Sequence, residues 1–206
     1  VGAFEYVAVS AAWTPADTTT EFWVDADDGA TITLDGSSNV EQWDDKSGNA
    51  RHATQATTGD RGFVRSGAIN GLDAIALESG EFMTFDGSFV DNSNFLIVFV
   101  SQRRSGSQQY VVGSEVGDFD NSIHVGYRSA STARYDIWGG PKIEGNIGSF
   151  STPDAQLFSA QLDSAVGREF WVNGTSLGSN TATTTTTNYD AAIGKLSTIL
   201  SDSMDV

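Results

Sequence analysis

The sequence has 206 residues, with 27 acidic against 11 basic side chains and a net charge of −16. A surface this negative repels phosphate backbones and anionic lipids, which makes nucleic acid a poor partner. Cysteine is absent, so disulfides, thiolate metal sites and cysteine nucleophiles are excluded. The longest apolar run, Phe95–Val100, is much shorter than the roughly 20 residues of a membrane-spanning helix, and we expect no membrane insertion.

Apolar residues alternate or occur in short runs between Gly, Asn, Asp, Ser and Thr, a pattern typical of an all-β chain. There is no internal repeat and no composition shift, so we expect a single domain over residues 1–206. Phe95–Val100 is apolar on both faces, which predicts a central strand covered on both sides. Residues 44–70 are predicted to form a long ordered loop, and 181–187 an exposed strand or loop. The predicted strands lie near residues 4–10, 21–25, 30–34, 73–78, 81–86, 94–102, 108–113, 121–128, 133–138, 156–162, 168–173 and 190–194.

The segment Arg168–Asn173 shows the clearest alternation of strand faces. Phe170 and Val172 are predicted to point towards one face of the sheet, and Glu169 and Trp171 towards the other face. Asn173 and Gly174 then supply the two positive φ angles that a tight hairpin requires, so we expect the return strand to begin directly afterwards.

Three stretches carry a resemblance to a known family. The sequence "LFSAQLDSAVGREFWVNGTSLGS" from residue 157 resembles the strand–turn–strand hairpin of laminin-G-like jelly rolls, and "AAIGK" (191–195) resembles the strand that follows it. Near the N-terminus, "FWVDADDGATITLDGSSNVEQWDDKSGNARHATQ" resembles the opening of bacterial and phage members of the concanavalin A-like lectin/glucanase superfamily. The resemblance implies a two-sheet antiparallel jelly-roll β-sandwich.

The resemblance breaks down at the C-terminal end of the sequence. Members of the family usually finish with an inner strand of Glu followed by alternating apolar residues, whereas the sequence stops at Ser201–Val206, where that strand is expected to start. The sequence also begins at Val1 without a methionine. We therefore expect a piece of a longer polypeptide. Its incomplete sheet would be closed by the remainder of the parent chain or by a neighbouring subunit.

The sequence lacks recognisable patterns of catalytic residues. Glucanases of this superfamily carry alternating carboxylates along one strand, and the sequence has no Glu-x-Asp. Asp25-Ala-Asp27 is the nearest match, but it runs into the turn at Asp28-Gly29, and we expect its acids to be turn residues. The two histidines, His52 and His124, lie far apart, and no G-x-S-x-G is present. The sequence therefore predicts a protein that is not an enzyme.

Calcium is the one cofactor that the sequence suggests. In the loop Gly117–Asn121, the oxygens of Asp118, Asp120 and Asn121 are spaced so that they could converge on a hard cation. The alternative is an acidic turn that is simply solvated. The loop Asp44–Asn49 is instead predicted to hold itself together, with side chains bonding its own backbone and Trp43 as its apolar anchor.

The hairpin from His124 to Trp138 is the candidate ligand-binding surface. His124 and Arg128 share one face of the first strand, and Arg134, Asp136 and Trp138 share one face of the second. If these faces coincide, an indole that can stack on a sugar ring lies beside charged groups that can bind hydroxyls. The alternative is an Arg–Asp pair next to a half-buried tryptophan.

The predicted function is a non-catalytic recognition or adhesion module of an exterior protein, at an extracellular, cell-surface or virion-surface location. The family makes carbohydrate, such as a cell-surface glycan, the default ligand. The alternative is a structural decoration or fibre domain on a phage or virus particle, and a glycoside hydrolase or polysaccharide lyase ranks third. The fold alone does not choose among these functions.

Overall fold

The computed structural model describes residues 14–78, 80–104, 108–115, 122–148, 154–187, 189–196, 199–200 and 204–206. Within these ranges the chain is almost entirely β, with only four single-turn 3₁₀ helices at Pro15–Asp17, Gly29–Thr31, Thr58–Asp60 and Ser88–Val90. None of the described helices has the length and apolar character needed to cross a membrane. The predicted strand at 4–10 lies outside the described residues.

The strands are numbered in chain order. They are β1 (Ile32–Leu34), β2 (Val40–Trp43), β3 (Ala53–Thr54), β4 (Phe63–Ile69), β5 (Leu72–Leu77), β6 (Met83–Asp86), β7 (Phe95–Arg103), β8 (Gln109–Ser114), β9 (Ile123–Ser129), β10 (Thr132–Ile137), β11 (Ile143–Asn146), β12 (Ala155–Asp163), β13 (Gly167–Val172), β14 (Thr175–Asn180), β15 (Asp190–Ile193), β16 (Lys195–Leu196), β17 (Ile199–Leu200) and β18 (Met204–Asp205).

Two antiparallel sheets form a β-sandwich, as the sequence predicted. The nine-stranded sheet has the order β1-β2-β3-β6-β15-β8-β9-β10-β11, and the seven-stranded sheet has the order β14-β13-β12-β7-β18-β5-β4. β16 and β17 form a separate two-stranded ribbon. Neighbours in each sheet are often distant in sequence, so long-range pairing holds the fold together.

The core lies between the two sheets and is centred on aromatic side chains. Phe158 of β12 stacks on Phe99 of β7 with ring centroids 4.8 Å apart, and it meets Tyr127 of β9 edge-on at 5.1 Å. Phe170 of β13 lies on its other side at 6.1 Å. Burying each such ring contributes roughly 2–3 kcal/mol. The three phenylalanines belong to adjacent strands of the seven-stranded sheet, and the contact of Phe158 with Tyr127 joins that sheet to the nine-stranded one.

The predicted alternation of β13 is confirmed. Phe170 and Val172 are buried, while Glu169 is exposed and Trp171 is partly exposed. The hairpin is also confirmed, because Asn173 and Gly174 have φ angles of 50° and 73° and β14 begins at the next residue.

Two predictions for the N-terminal half were wrong. Residues 21–25 form no strand, because the Trp23 backbone bonds the Asp45 side chain and the Lys46 backbone instead of a ladder. Residues 44–70 are not one loop, since they contain β3, a 3₁₀ turn and the seven-residue β4. β4 was missed because its middle, around Ser66 and Gly67, is exposed and polar and its pairing register shifts there.

The predicted loop Asp44–Asn49 does organise itself as expected. The buried Asp45 carboxylate accepts the backbone N–H groups of Ser47 and Arg51, and also the Ser47 hydroxyl at 2.7 Å. Trp43 is buried and belongs to the core, so it anchors the loop.

The prediction that Phe95–Val100 forms a central strand is confirmed, and the prediction that both of its faces are covered is wrong. β7 is a central strand between β12 and β18, but on its outer face Leu96, Val98 and Val100 are 61%, 54% and 41% exposed. No described element packs over this face, because the sandwich covers each sheet on its inner side alone.

Candidate functional site

The candidate site lies on the outer face of the nine-stranded sheet, along the β9–β10 hairpin. The register pairs His124 with Asp136 and Gly126 with Arg134. The alternate residues of both strands, such as Val125 and Tyr135, are fully buried in the core. His124, Asp136 and Arg134 therefore share the face that points away from the core, so the two strand faces, whose coincidence the sequence left open, do coincide.

The structure places two of the predicted binding residues beneath the surface. His124 and Asp136 are both buried, and the His124 Nδ1 atom lies 3.7 Å from the nearer Asp136 carboxylate oxygen. On its other side, His124 Nε2 lies 3.0 Å from the Ser122 hydroxyl. Burial, assisted by the nearby Arg134 cation, lowers the pKa of His124 to about 4. The ring is therefore neutral at physiological pH.

Asp136 experiences opposing influences. Burial raises the pKa of its carboxyl above the ordinary value, while the cations of Arg134 and Arg168 act in the other direction. The Arg134 Nη1 atom lies 3.8 Å from the carboxylate. Asp136 and His124 thus form a buried polar pair below the surface, and they support the groups above them.

Aromatic rings cover this buried pair. Trp138, which follows β10, lies with its ring centroid 5.3 Å from that of His124, and Tyr110 of β8 meets His124 edge-on at 5.8 Å. Tyr110 is buried, whereas Trp138 is 40% exposed. Trp138 is therefore the large apolar group that the cluster presents to solvent.

Charged groups also lie on this face of the sheet. Arg134 donates from Nε to Glu144 Oε1 at 2.5 Å, and Lys142 Nζ lies 3.6 Å from the other Glu144 oxygen. Arg128 is exposed further along β9, and no ion pair joins it to another residue in the described ranges. Arg128, Arg134 and Lys142 therefore place three of the eleven cations of this acidic protein along this face of the sheet.

Tyr110 and Glu144 belong to the cluster, and the sequence pattern predicted neither of them. Glu144 is the direct cross-strand partner of Arg134 on β11, and Tyr110 is the partner of Gly126 on β8. Finding them requires the strand order of the sheet. The isolated acid Glu144, next to the buried Ile143, gave no strand pattern of its own.

Gly126 leaves the centre of the face without a side chain. It lies between Tyr110 and Arg134 in the register, and a Cβ atom there would come 2.2 Å from the Gln109 carbonyl oxygen. Its φ of 156° also disfavours other residues. The backbones of β8 and β9 approach closely at this point, and this holds Tyr110 beside His124.

The remaining predictions concern a calcium site and the acids at Asp25 and Asp27. The calcium candidates Asp118, Asp120 and Asn121 lie outside the described residues. Among the residues that are described, no group of three or more His, Asp or Glu side chains could hold a metal ion. The turn assignment of Asp25 and Asp27 is confirmed, because the Asp28 backbone N–H donates to the Asp25 carbonyl and the Asp27 N–H donates to the Asp25 carboxylate.

Comparison with known proteins supports the β-sandwich fold. No family model and no curated protein matches the chain. Among solved structures, the binding domain of Paraclostridial Mosquitocidal Protein 1 matches over 88% of this chain, with a TM-score of 0.57 and 14% identity. A botulinum neurotoxin type C structure, whose cell entry depends on interaction with two ganglioside molecules, matches over 82% with a TM-score of 0.46 and 14% identity.

The chain spans about half the length of these two structures, 48% and 46% respectively. At such low identity, the similarity to the mosquitocidal protein is a similarity of fold. The chain therefore shares a two-sheet β-sandwich with a toxin binding domain.

Proposed function

We propose that this domain is a non-catalytic recognition module that binds carbohydrate and belongs to an exterior protein. The supporting observation is the half-exposed Trp138 indole, which lies over the buried pair of His124 and Asp136, with Arg134 close to that pair and Arg128 exposed further along the same face. An indole face stacks on the C–H groups of a sugar ring, and guanidinium groups bind hydroxyls or an acidic sugar substituent.

The ligand contacts belong to the exposed members of the cluster. Trp138 would provide the stacking surface, and Arg128 would donate hydrogen bonds to a ligand long enough to reach it. Arg134, whose side chain is only 12% exposed and is fixed by Glu144, would act from below. His124 and Asp136 would act from below as positioning residues, because they are buried. The resemblance of the sequence to laminin-G-like jelly rolls and the fold shared with a toxin binding domain support this role.

A glycan array of neutral and acidic glycans, probed with and without calcium, tests the proposal. We expect binding to at least one glycan class, and we expect Trp138→Ala to weaken it by at least about tenfold, or 1.4 kcal/mol. Trp171→Ala is the matched control, since Trp171 is a partly exposed tryptophan on the outer face of the other sheet. A blank array, or equal losses in the two variants, would contradict the proposal.

A structural role on a particle surface is the second candidate. The exposed apolar side chains of β7 favour it, because exposed apolar patches often mark contact surfaces. Finding the domain in many copies on a purified phage or virus particle, together with a blank glycan array, would support this role over carbohydrate binding.

A further inference from the structure

A buried arginine of the seven-stranded sheet reaches across the sandwich to the turn that carries Trp138. Arg168 of β13 is fully buried. It donates from Nη1 to the Pro141 carbonyl at 3.2 Å, and from Nη2 to the Thr184 carbonyl at 3.0 Å. A Cβ atom at Gly140 would come 3.2 Å from both of these nitrogens, so the guanidinium lies against the backbone just after Trp138. Arg168 therefore fixes the exit of this turn.

The turn around Trp138 is closed by its own hydrogen bonds. Gly140 donates its backbone N–H to the Ile137 carbonyl at 3.1 Å, and Gly139 has a φ of 87°, as the third position of a type II turn requires. Trp138 occupies the second position, and its own N–H donates to the Ser122 carbonyl at 2.9 Å. The backbone on both sides of Trp138 is therefore held, and the position of the indole depends on this support.

A second buried arginine acts in the same way at the opposite end of the hairpin. Arg103 of β7 is 6% exposed and donates to the carbonyl oxygens of Ser129 and Ala130, at 3.0 and 3.1 Å. Ser129 is the last residue of β9, and it directly follows Arg128, the exposed cation of this face. Each end of the hairpin therefore combines one buried guanidinium with one exposed candidate contact.

The two exposed contacts lie far apart along the hairpin. The Trp138 N–H bonds the Ser122 carbonyl, and Ser122 precedes Arg128 by six residues, which corresponds to about 20 Å of extended chain. Between them, Gly126 has no side chain, and the side chain of Arg134 opposite it is only 12% exposed. A single sugar ring cannot contact both Trp138 and Arg128, whereas an oligosaccharide that lies along the hairpin can.

We propose that Arg168 and Arg103 are positioning residues of the carbohydrate site, and that they hold Trp138 and Arg128 at a spacing that suits an extended oligosaccharide. The inference rests on the proposed function, which it deepens by naming the class of glycan. Backbone that is already fixed does not have to be ordered when the ligand binds, so less of the binding free energy is lost. The two guanidinium groups act from the core, because they are buried and bond backbone carbonyls.

Fluorine NMR of protein that contains 5-fluorotryptophan tests the positioning role without a ligand. The five tryptophan resonances are assigned by replacing each residue in turn with phenylalanine. We expect Arg168→Met to shift or broaden the Trp138 resonance and Arg103→Met to leave it unchanged, although each variant loses a buried guanidinium that bonds two carbonyls. Gly140→Ala adds a methyl group against the Arg168 guanidinium. It should shift the same resonance, and it replaces Arg168→Met as the test if that variant does not fold.

A glycan array with monosaccharides and oligosaccharides of increasing length tests the class of glycan. We expect binding to strengthen with length by at least about tenfold, because longer chains reach the second contact. This gain should be lost in Arg128→Ala and in Arg103→Met. Arg168→Met should weaken binding at every length, and Arg168→Lys, which keeps a donor for the carbonyls, should restore part of it.

Three outcomes would overturn the proposal. An unchanged Trp138 resonance in Arg168→Met, or in Gly140→Ala where that variant replaces it, would remove the positioning role. An equal change of this resonance in Arg103→Met would show a general loosening of the fold. Equal binding of single sugars and long chains would exclude the extended oligosaccharide. A blank array contradicts the proposed function itself, whereas the fluorine measurement still decides the role of Arg168.

Discussion

The buried ring of His124 lies directly opposite the buried carboxyl of Asp136 in the β9–β10 ladder, with 3.7 Å between Nδ1 and the nearer oxygen. Ser122, Tyr110, Arg134, Trp138 and Arg168 also lie around the pair. Because the ring is held neutral, its protonation should favour the unfolded chain, and this makes stability depend on pH.

The sign of that dependence follows from the pKa of His124. The folded pKa is about 4, against 6.5 for the ordinary side chain, so this contribution is fully present above pH 6.5 and is lost as pH falls towards 4. Asp136 offsets part of the loss, because burial raises the pKa of its carboxyl and its protonation favours the folded state. Between pH 7 and pH 4, we expect the free energy of unfolding to fall by about 1–3 kcal/mol less in His124→Gln than in the unsubstituted protein. Urea unfolding across this range measures the effect.

His52→Gln is the control for that experiment. His52 is partly exposed and lies in a loop beside Asp44. The same flattening of the pH profile in both variants would show that His124 has no special role.

A second prediction concerns Asp45, the centre of the loop that follows β2. Its carboxylate accepts backbone N–H groups from Trp23, Ser47 and Arg51. Burial favours the neutral acid, but these hydrogen bonds outweigh it and hold the pKa of Asp45 below its ordinary value. We expect Asp45→Ala to lower the free energy of unfolding by about 2–4 kcal/mol, measured with urea. Asp44→Ala, at a more exposed neighbouring carboxylate, should cost less, and an equal cost would contradict this account.

The third prediction tests the close approach of β8 and β9. Gly126→Ala would place a Cβ atom 2.2 Å from the Gln109 carbonyl oxygen, at a φ angle that favours glycine. We expect a loss of at least about 2 kcal/mol in the free energy of unfolding, together with weaker glycan binding if Tyr110 shifts. Gly36→Ala is the control, because no atom lies within 4 Å of its added Cβ. A stable Gly126→Ala variant would show that the strands separate easily.

Calcium binding at Asp118, Asp120 and Asn121 remains a prediction from the sequence. If the loop binds calcium at about 100 times its dissociation constant, the ion adds roughly 2.7 kcal/mol. Chelation should then lower the melting temperature by several degrees, and Asp118→Asn should remove that difference. An unchanged melting curve in excess chelator would leave a solvated acidic turn.

The parts of the fold that the sequence predicted are those with strong alternation. β12, β13 and the turn at Asn173 and Gly174 were found because buried and exposed side chains alternate without interruption and glycine marks the reversal. β4 and β11 were missed for the opposite reason. β4 has one buried apolar side chain, Ile69, and β11 has one, Ile143. Each forms a strand because it pairs with a neighbouring strand of its sheet.

Only part of the candidate site could be predicted from the sequence. Alternation placed His124 and Arg128 on one face of the first strand, and Arg134 and Asp136 on one face of the second, and it left open whether these faces coincide. Their burial depends on which strands lie next to the hairpin, and on the rings of Tyr110 and Trp138 that cover them. A single hairpin sequence contains no information about strand order, so the accessible part of the patch could be identified only in three dimensions.

The position of β18 in the middle of its sheet also affects how the protein folds. Arg65 on β4 forms an ion pair with Asp205, 140 residues later in the chain. Among the strands that the structure describes, β18 alone connects β4 and β5 to β7 and β12, and this connection forms only after residues 204–206 have left the ribosome. Contacts this distant in sequence are typical of slow-folding domains. We expect the exposed apolar strand β7 to depend on chaperones during that interval.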